Sequence, residues 1–246
     1  MKFGAITLCF NEEDFIGGCL DLLDVDVKVV VISDKTFQGE VLPKDKSEKI
    51  ALSKGAIVIR CTTSDQWEMR NIGMALLEGM GIDNVFIVDA DVFFEKEVLD
   101  KYKMFIERNP VEVYYAKKRF FFKRASYEAI CPNDKGGILC LKSTERMDRN
   151  DPHYCDNNDK DKIYIPVEDL GYCYHFSYVR TPEKMKEKIK SFSHAKQVRS
   201  DWFEKVFMKF TPDMKCFSPT NPYDFTECKV VELPKEIKNK IPSKLW

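Results

Sequence analysis

Asp89 and Asp91 stand one residue apart at the end of the apolar run Val85-Phe86-Ile87-Val88. An uninterrupted run of β-branched and aromatic residues suits a strand buried on both faces. Two carboxylates at the carboxyl end of such a strand sit at the mouth of an α/β sheet, where ligands bind. Oxygen donors there suit a hard divalent cation, Mn2+ or Mg2+, and such an ion can hold a diphosphate. A solvated acidic turn has the same local sequence, so the rest of the chain must supply the context.

Other chemistry-bearing residues fall at successive strand ends. Phe10 could lie against a base, Asp34 could accept from a base or ribose, and Arg70 could face a diphosphate. No Gly-rich loop follows the first strand. Cys9-Phe10-Asn11-Glu12-Glu13 matches neither G-x-G-x-x-G nor a P-loop, which weakens NAD and ATP readings. Late in the chain, His175 offers an imidazole suited to Mn2+. Lys186, Lys190 and His194 share a helical face by their four-residue spacing and could supply positive charge to a leaving diphosphate. Lys117, Lys118, Arg119, Lys123 and Arg124 form a basic patch with aromatics between them. A nucleic-acid surface can look like this. The net charge of −1 argues for an anionic donor or a sugar acceptor instead, with no nucleic-acid partner.

Strand–helix alternation must position these groups. Strands are expected at Phe3–Phe10, Val27–Ser33, Ala56–Arg60 and up to Val88. Helices are expected from the N-cap Asn11 to Leu23, at Ser47–Lys54, at Asp65–Met80 and at Glu95–Arg108. In the third of these, Met69, Ile72, Leu76 and Met80 mark the inward side. Four such repeats predict an α/β fold with a mostly parallel central sheet covered by helices on both faces. The second half reads as strands Val111–Lys117, Phe120–Lys123, Gly137–Lys142 and Tyr172–Val179, with a polar loop at Asp148–Asp161. Thr181-Pro182-Glu183 starts a basic helix to Val198, and Ser200–Phe210 reads as a second helix. Residues 1–210 are expected to form one catalytic domain, with a nucleotide-binding half at 1–92 and an acceptor half at 93–210. Residues 211–246 are expected to be a tail packed on it.

The 246 residues, 44% apolar, can fill one large core. The nine cysteines form no C-x-x-C pair, which disfavours a zinc ribbon. Their odd number and scattered spacing suggest reduced thiols and a cytoplasmic protein. No apolar run reaches the roughly 20 residues of a membrane span. Met1–Phe10 reads as a strand feeding a helix, not as a signal peptide.

Ile6-Thr7-Leu8-Cys9-Phe10-Asn11-Glu12-Glu13, Ile32-Ser33-Asp34, Arg70-Asn71-Ile72-Gly73 and Val88-Asp89-Ala90-Asp91 together resemble the donor half of a GT-A-fold (Rossmann-like) glycosyltransferase. The resemblance implies that acids at these positions bind the nucleoside and a divalent metal on the donor diphosphate, which adds Glu12 to the donor-binding candidates. Gly171–Tyr178, Thr181-Pro182-Glu183-Lys184 and Lys190-Ser191-Phe192-Ser193-His194 resemble glycosyltransferase family 17, β-1,4-N-acetylglucosaminyltransferases acting on mannose. Lys118-Arg119-Phe120-Phe121-Phe122 is similar to a basic–aromatic stretch of the same family.

These resemblances imply a metal-dependent transferase moving a sugar from a UDP-sugar to a hydroxyl of a glycan, with inversion. Asp89, Asp91 and His175 would hold Mn2+ or Mg2+. An inverting transferase needs a carboxylate to take a proton from the attacking hydroxyl. Asp169, then Glu168, lie a few residues before His175 and are the first candidates. Two rivals remain. A sugar nucleotidyltransferase would want a Gly-rich turn and a lysine at Cys9–Glu13, and neither is there. A nucleotide-sugar-binding protein with a degenerate transferase fold would lack turnover.

Overall fold

The computed structural model describes residues 1–36, 38–41, 44–147, 161–221 and 224–246. In chain order the elements begin with β1 (Phe3–Cys9), α1 (Ile16–Leu22), β2 (Val27–Ser33), α2 (Ser47–Ser53), β3 (Ile57–Cys61) and α3 (Gln66–Gly79). Then come β4 (Asn84–Asp89), β5 (Val92–Phe93), α4 (Lys96–Arg108), β6 (Val113–Ala116), β7 (Lys118–Phe122), β8 (Tyr127–Ile130) and β9 (Gly137–Lys142). The last are β10 (Lys162–Tyr164), α5 (Val167–Leu170), β11 (Cys173–Tyr178), α6 (Pro182–Ser191), β12 (Glu227–Val230) and α7 (Lys235–Lys238).

A seven-stranded sheet has the order β10-β6-β9-β4-β1-β2-β3. The neighbours β1–β2, β1–β4, β2–β3 and β6–β10 are parallel, while β9 runs antiparallel between β4 and β6. Side chains alternate across a strand, so both faces of a buried sheet must be apolar. On β1, Phe3, Ala5 and Cys9 enter one core and Ile6 and Leu8 the other. The architecture is the mostly parallel α/β sheet that the alternation predicts.

A second, five-stranded sheet has the order β12-β8-β7-β11-β5, and its β5 follows directly on β4 of the first. Its own aromatic core includes Phe122, Trp202, Phe207, Phe217 and Phe225. Tyr114, Tyr115, Phe120, Phe121, Phe122 and Trp202 are aromatic residues whose types could offer flat faces to sugars; all are buried except Phe120, which is half-buried.

Several local expectations change. Asn11 is not a helix N-cap. Its backbone is left-handed (φ 53°), a conformation asparagine tolerates, and its Oδ1 accepts from Asp45 N at 3.1 Å. The helix starts later, at Ile16. The inward side of α3 is Met69, Gly73, Met74 and Leu77, while Met80 is 43% exposed. Helical spacing alone fits two adjacent stripes, and the glycine, with no side chain to signal burial, hides the true one. Residues 200–210 form only a wide turn at Phe203–Phe207. Most of the polar loop, 148–160, lies outside the described residues.

The segment after 211 carries β12, which pairs antiparallel with β8. Leu233, Ile237, Ile241 and Leu245 enter the main core. Gly18 of α1 permits this: a Cβ there would lie 2.8 Å from the Lys240 carbonyl oxygen and 2.9 Å from Phe93.

Candidate functional site

The site is built where β1 and β4 end and β11 arrives. Asp89 closes β4, in register with Leu8 of β1. The chain turns through Ala90 into β5, whose Val92 pairs with His175 of β11. That pairing places His175 Nε2 3.2 Å from Asp91 Oδ1. The Phe176 N–H donates to the Asp91 carbonyl at 2.9 Å, so the turn is fixed by backbone as well.

Beyond β11 the chain delivers two cations. Arg180 Nη2 and Lys188 Nζ each donate to Asp91 Oδ2 at 2.8 Å. Both also reach Glu12, at 2.6 and 3.1 Å. The result is a closed box of alternating charge: Asp91, Arg180, Glu12, Lys188. Arg180 additionally donates to the carbonyls of Phe176 and Val179 and lies 4.1 Å over the Phe15 ring. Thr181 caps α6 by accepting from Lys184 N, and Pro182 opens the helix. That start orients Lys188 inward.

The side chains of Asp91 and Arg180 are 5% and 4% exposed. Burial by itself raises a carboxyl's pKa. Lys188, His175 and Arg180 outweigh it and hold Asp91 well below the usual carboxylate range. Asp91 is thus a buried, fully paired anion.

Asp89 is different. Its side chain is 39% exposed, and its partners are looser: Arg70 Nη2 at 3.5 Å and Lys118 Nζ at 3.9 Å. Burial of the surrounding site opposes ionisation, but Lys118, Arg70 and His175 still lower its pKa. Gly73 brings Arg70 here. A Cβ on Gly73 would lie 3.0 Å from the Ile6 side chain, tighter than ordinary contact, so the glycine eases the close approach of α3 to β1. Three acids therefore face four cations, a surplus of one positive charge before His175 is counted.

A cavity of about 840 Å³ opens over these groups. Phe10, Glu12, Arg70, Asp89, Asp91, His175 and His194 all line it. Its size falls in the range of ligand pockets, roughly 300–1,000 Å³. The remaining candidates lie elsewhere. Asp34 is at the surface, paired with Lys44. Lys190 is exposed and off the cavity wall. Glu168 and Asp169 are exposed on α5, where the Tyr172 hydroxyl donates to Glu168 at 3.3 Å. Lys186 is also exposed, with its Nζ 5.9 Å from the Phe203 ring centre.

Sequence reasoning missed Arg180 and Lys188. Lys188 had a local signal: it stands three residues after Met185, on the same helical face, and Met185 is buried. Arg180 had none, since its partners Glu12 and Asp91 are distant in sequence.

As a metal site the donor set is partial. Among the described residues no group of three His, Cys, Asp or Glu side chains is placed to hold an ion. Asp89 is open to the cavity, and Asp91 Oδ1 with His175 Nε2 offers a second edge. Mg2+ commonly takes only one or two carboxylates and completes its shell with water and phosphate oxygens, which these residues fit. His175 fits less well. A ligating histidine usually donates from its other ring nitrogen, and Nδ1 here is buried without a partner among the described residues.

No protein-family model matches the chain, and no curated protein matches it. Solved structures do. The crystal structure of S. aureus TarS 1-349 aligns over 82% of this chain and 69% of its own, with 17% identity and a TM-score of 0.50. The same protein in complex with UDP-GlcNAc aligns over 77% of this chain and 65% of its own, with 18% identity and a TM-score of 0.49. Glucosyl-3-phosphoglycerate synthase from Mycobacterium tuberculosis, solved with Mn2+, UDP and phosphoglyceric acid, aligns over 48% of this chain and 43% of its own. That match has 17% identity and a TM-score of 0.37. The chain spans about two thirds of the length of the first two. The first likeness is one of fold: the chain has a GT-A-like α/β architecture. No helix among the described residues is long and apolar enough to cross a membrane.

Proposed function

We propose that this protein is a glycosyltransferase that moves a sugar from a nucleotide diphosphate, a UDP-sugar, to a hydroxyl. One observation carries the reading: Arg70 and Lys188, pre-set by acids, line a nucleotide-sized cavity at the carboxyl edge of a GT-A-like sheet, with Lys118 in an adjoining cavity that shares Arg70, Asp89 and His175. A sugar nucleotide is a dianion, and its departure as a nucleoside diphosphate adds negative charge. Arg70, Lys118 and Lys188 meet that charge without having to reorganise. Asp91 and Glu12 aim Lys188 and Arg180. Phe10 lines the same cavity and offers its ring to the base.

Asp89, with the Asp91–His175 edge, would hold Mn2+ or Mg2+, and a bound ion would add positive charge at the diphosphate. The family 17 resemblance favours UDP-N-acetylglucosamine and inversion. Residues 1–92 then serve the donor and 93–210 the acceptor. The test is incubation with UDP-, GDP- and dTDP-sugars, with and without Mn2+, while nucleoside diphosphate release is followed. The reading expects UDP release from one UDP-sugar above all. Release of pyrophosphate from a sugar phosphate and UTP would make the protein a nucleotidyltransferase. Binding without release would make it a binding protein.

A further inference from the structure

The cavity has two chemically unlike ends. Glu12, Asp89, Asp91, Lys188 and Arg70 floor one end. The other is formed by the second sheet and the segment before β12, with Asn133, Asp134, Ser218, Thr220, Asp224 and the Phe225 ring on its wall. This second wall is neutral or acidic and aromatic, apart from the exposed Lys135. Such a surface repels phosphate and carboxylate. It offers hydrogen-bond acceptors and a flat apolar face, which is what a neutral sugar needs.

Two carboxylates are available there, and their surroundings differ. Asp134 is committed to the backbone: its Oδ2 accepts from Lys118 N at 3.3 Å and its Oδ1 from Gly136 N at 2.9 Å. It holds the turn between β8 and β9. Among the described residues, Asp224 accepts only from the Asn221 side chain, at 3.0 Å to Oδ1, and none of them donates to Oδ2. Between the two ends stands Tyr178, which also lines the cavity. Its ring packs on Phe225 and Trp202. A half-buried phenol on a cavity wall can donate its O–H to a ligand oxygen.

We propose that this end binds a neutral, hydroxyl-rich acceptor and that Asp224 is its catalytic base. The inference rests on the transferase reading above. The acceptor hydroxyl oxygen forms a bond to the anomeric carbon. The bond from that carbon to the diphosphate oxygen breaks, and the nucleoside diphosphate keeps the electron pair. The hydroxyl proton passes to Asp224 Oδ2, and the phenol of Tyr178 holds a neighbouring acceptor oxygen.

The experiment compares wild type, Asp224→Asn and Tyr178→Phe with UDP-N-acetylglucosamine in the presence of Mn2+. Methyl α-mannoside, glycerol 3-phosphate or water alone serves as acceptor. UDP affinity is measured in parallel by calorimetry. General-base catalysis contributes about 10²–10⁴-fold. Asp224→Asn should therefore lose at least about 100-fold in UDP release while UDP affinity stays within about twofold. Tyr178→Phe should raise the KM for the glycoside more than it lowers kcat. The glycoside should stimulate release above the water rate, and glycerol 3-phosphate should not. Asp224→Asn retaining a tenth or more of wild-type release would overturn the base assignment. Stimulation by glycerol 3-phosphate alone would overturn the acceptor class. Absence of UDP binding by wild type would instead strike the transferase reading, and this inference with it.

Discussion

Lys188 reaches back 97 residues to place its ammonium 2.8 Å from the Asp91 carboxylate. Through its Oδ2 the second acid of the pair thereby also anchors a buried ion cluster. Breaking one partner of a buried pair costs about 3–5 kcal/mol, because the other charge is left uncompensated. Asp91→Asn should lower stability by that order and should not behave as a silent loop substitution. Chemical denaturation of wild type and variant reads the difference. A variant as stable as wild type would show that Arg180 and Lys188 find other partners.

The acid limb of the stability curve follows from the same cluster. Asp91 has a folded-state pKa well below its unfolded value, held there by Lys188, His175 and Arg180 against burial. Its stabilising contribution is fully present above the unfolded carboxylate pKa of about 4. It is lost as pH falls from there through the depressed folded value. Stability should drop steeply below about pH 4, and the Asp91→Asn variant should show a shallower acid limb. Equal slopes in the two proteins would remove Asp91 from the linkage.

Asp34 sits at the rim of the sheet rather than on the cavity wall, in an exposed pair with Lys44. An exposed pair of this kind is worth little, about 0–1 kcal/mol. Asp34→Ala should leave UDP affinity and stability nearly unchanged. A fall in affinity of more than about fivefold, roughly 1 kcal/mol, would place the nucleoside beyond the present cavity and against Asp34.

The metal dependence divides between two acids and a histidine. Asp89→Asn should abolish the melting-temperature increment that Mn2+ adds to UDP, since Asp89 is the exposed carboxylate. His175 lies against Phe120 with Nδ1 buried. If it also ligates the ion, His175→Ala loses the same increment. If its place is structural, the variant melts lower and keeps the increment. One melting series with Mn2+ and UDP separates the two.

The first half of the fold was legible because local pattern determines it. Buried parallel strands are apolar runs, and Val85–Val88 announces both its burial and the acids that follow. The second half was harder to read. β5 is two residues long and β10 three, too short for any period to show. β12 is mostly exposed and earns its place only by pairing with β8. The site divides in the same way. Arg70 stands in the first half of α3, while Phe10 and Asp89 lie at strand ends and were visible as such. Arg180 and Lys188 were not, because a charge's partner depends on tertiary approach rather than on its neighbours. Asp169 and Glu168 illustrate the reverse case: well placed in sequence before His175, they lie on α5 outside the cavity.

The most direct test of the account is calorimetric titration of UDP into the wild type and into Lys118→Ala. Lys118 stands 3.9 Å from Asp89, and its side chain is only 15% exposed. A hydrogen bond to a charged group is worth about 1.5–3 kcal/mol, or roughly 10- to 150-fold in affinity. The account predicts saturable one-to-one binding by the wild type and a loss of that size in the variant, with the melting temperature of the free protein little changed. No saturable binding of UDP, GDP or dTDP by the wild type, or the same affinity in Lys118→Ala, would contradict it.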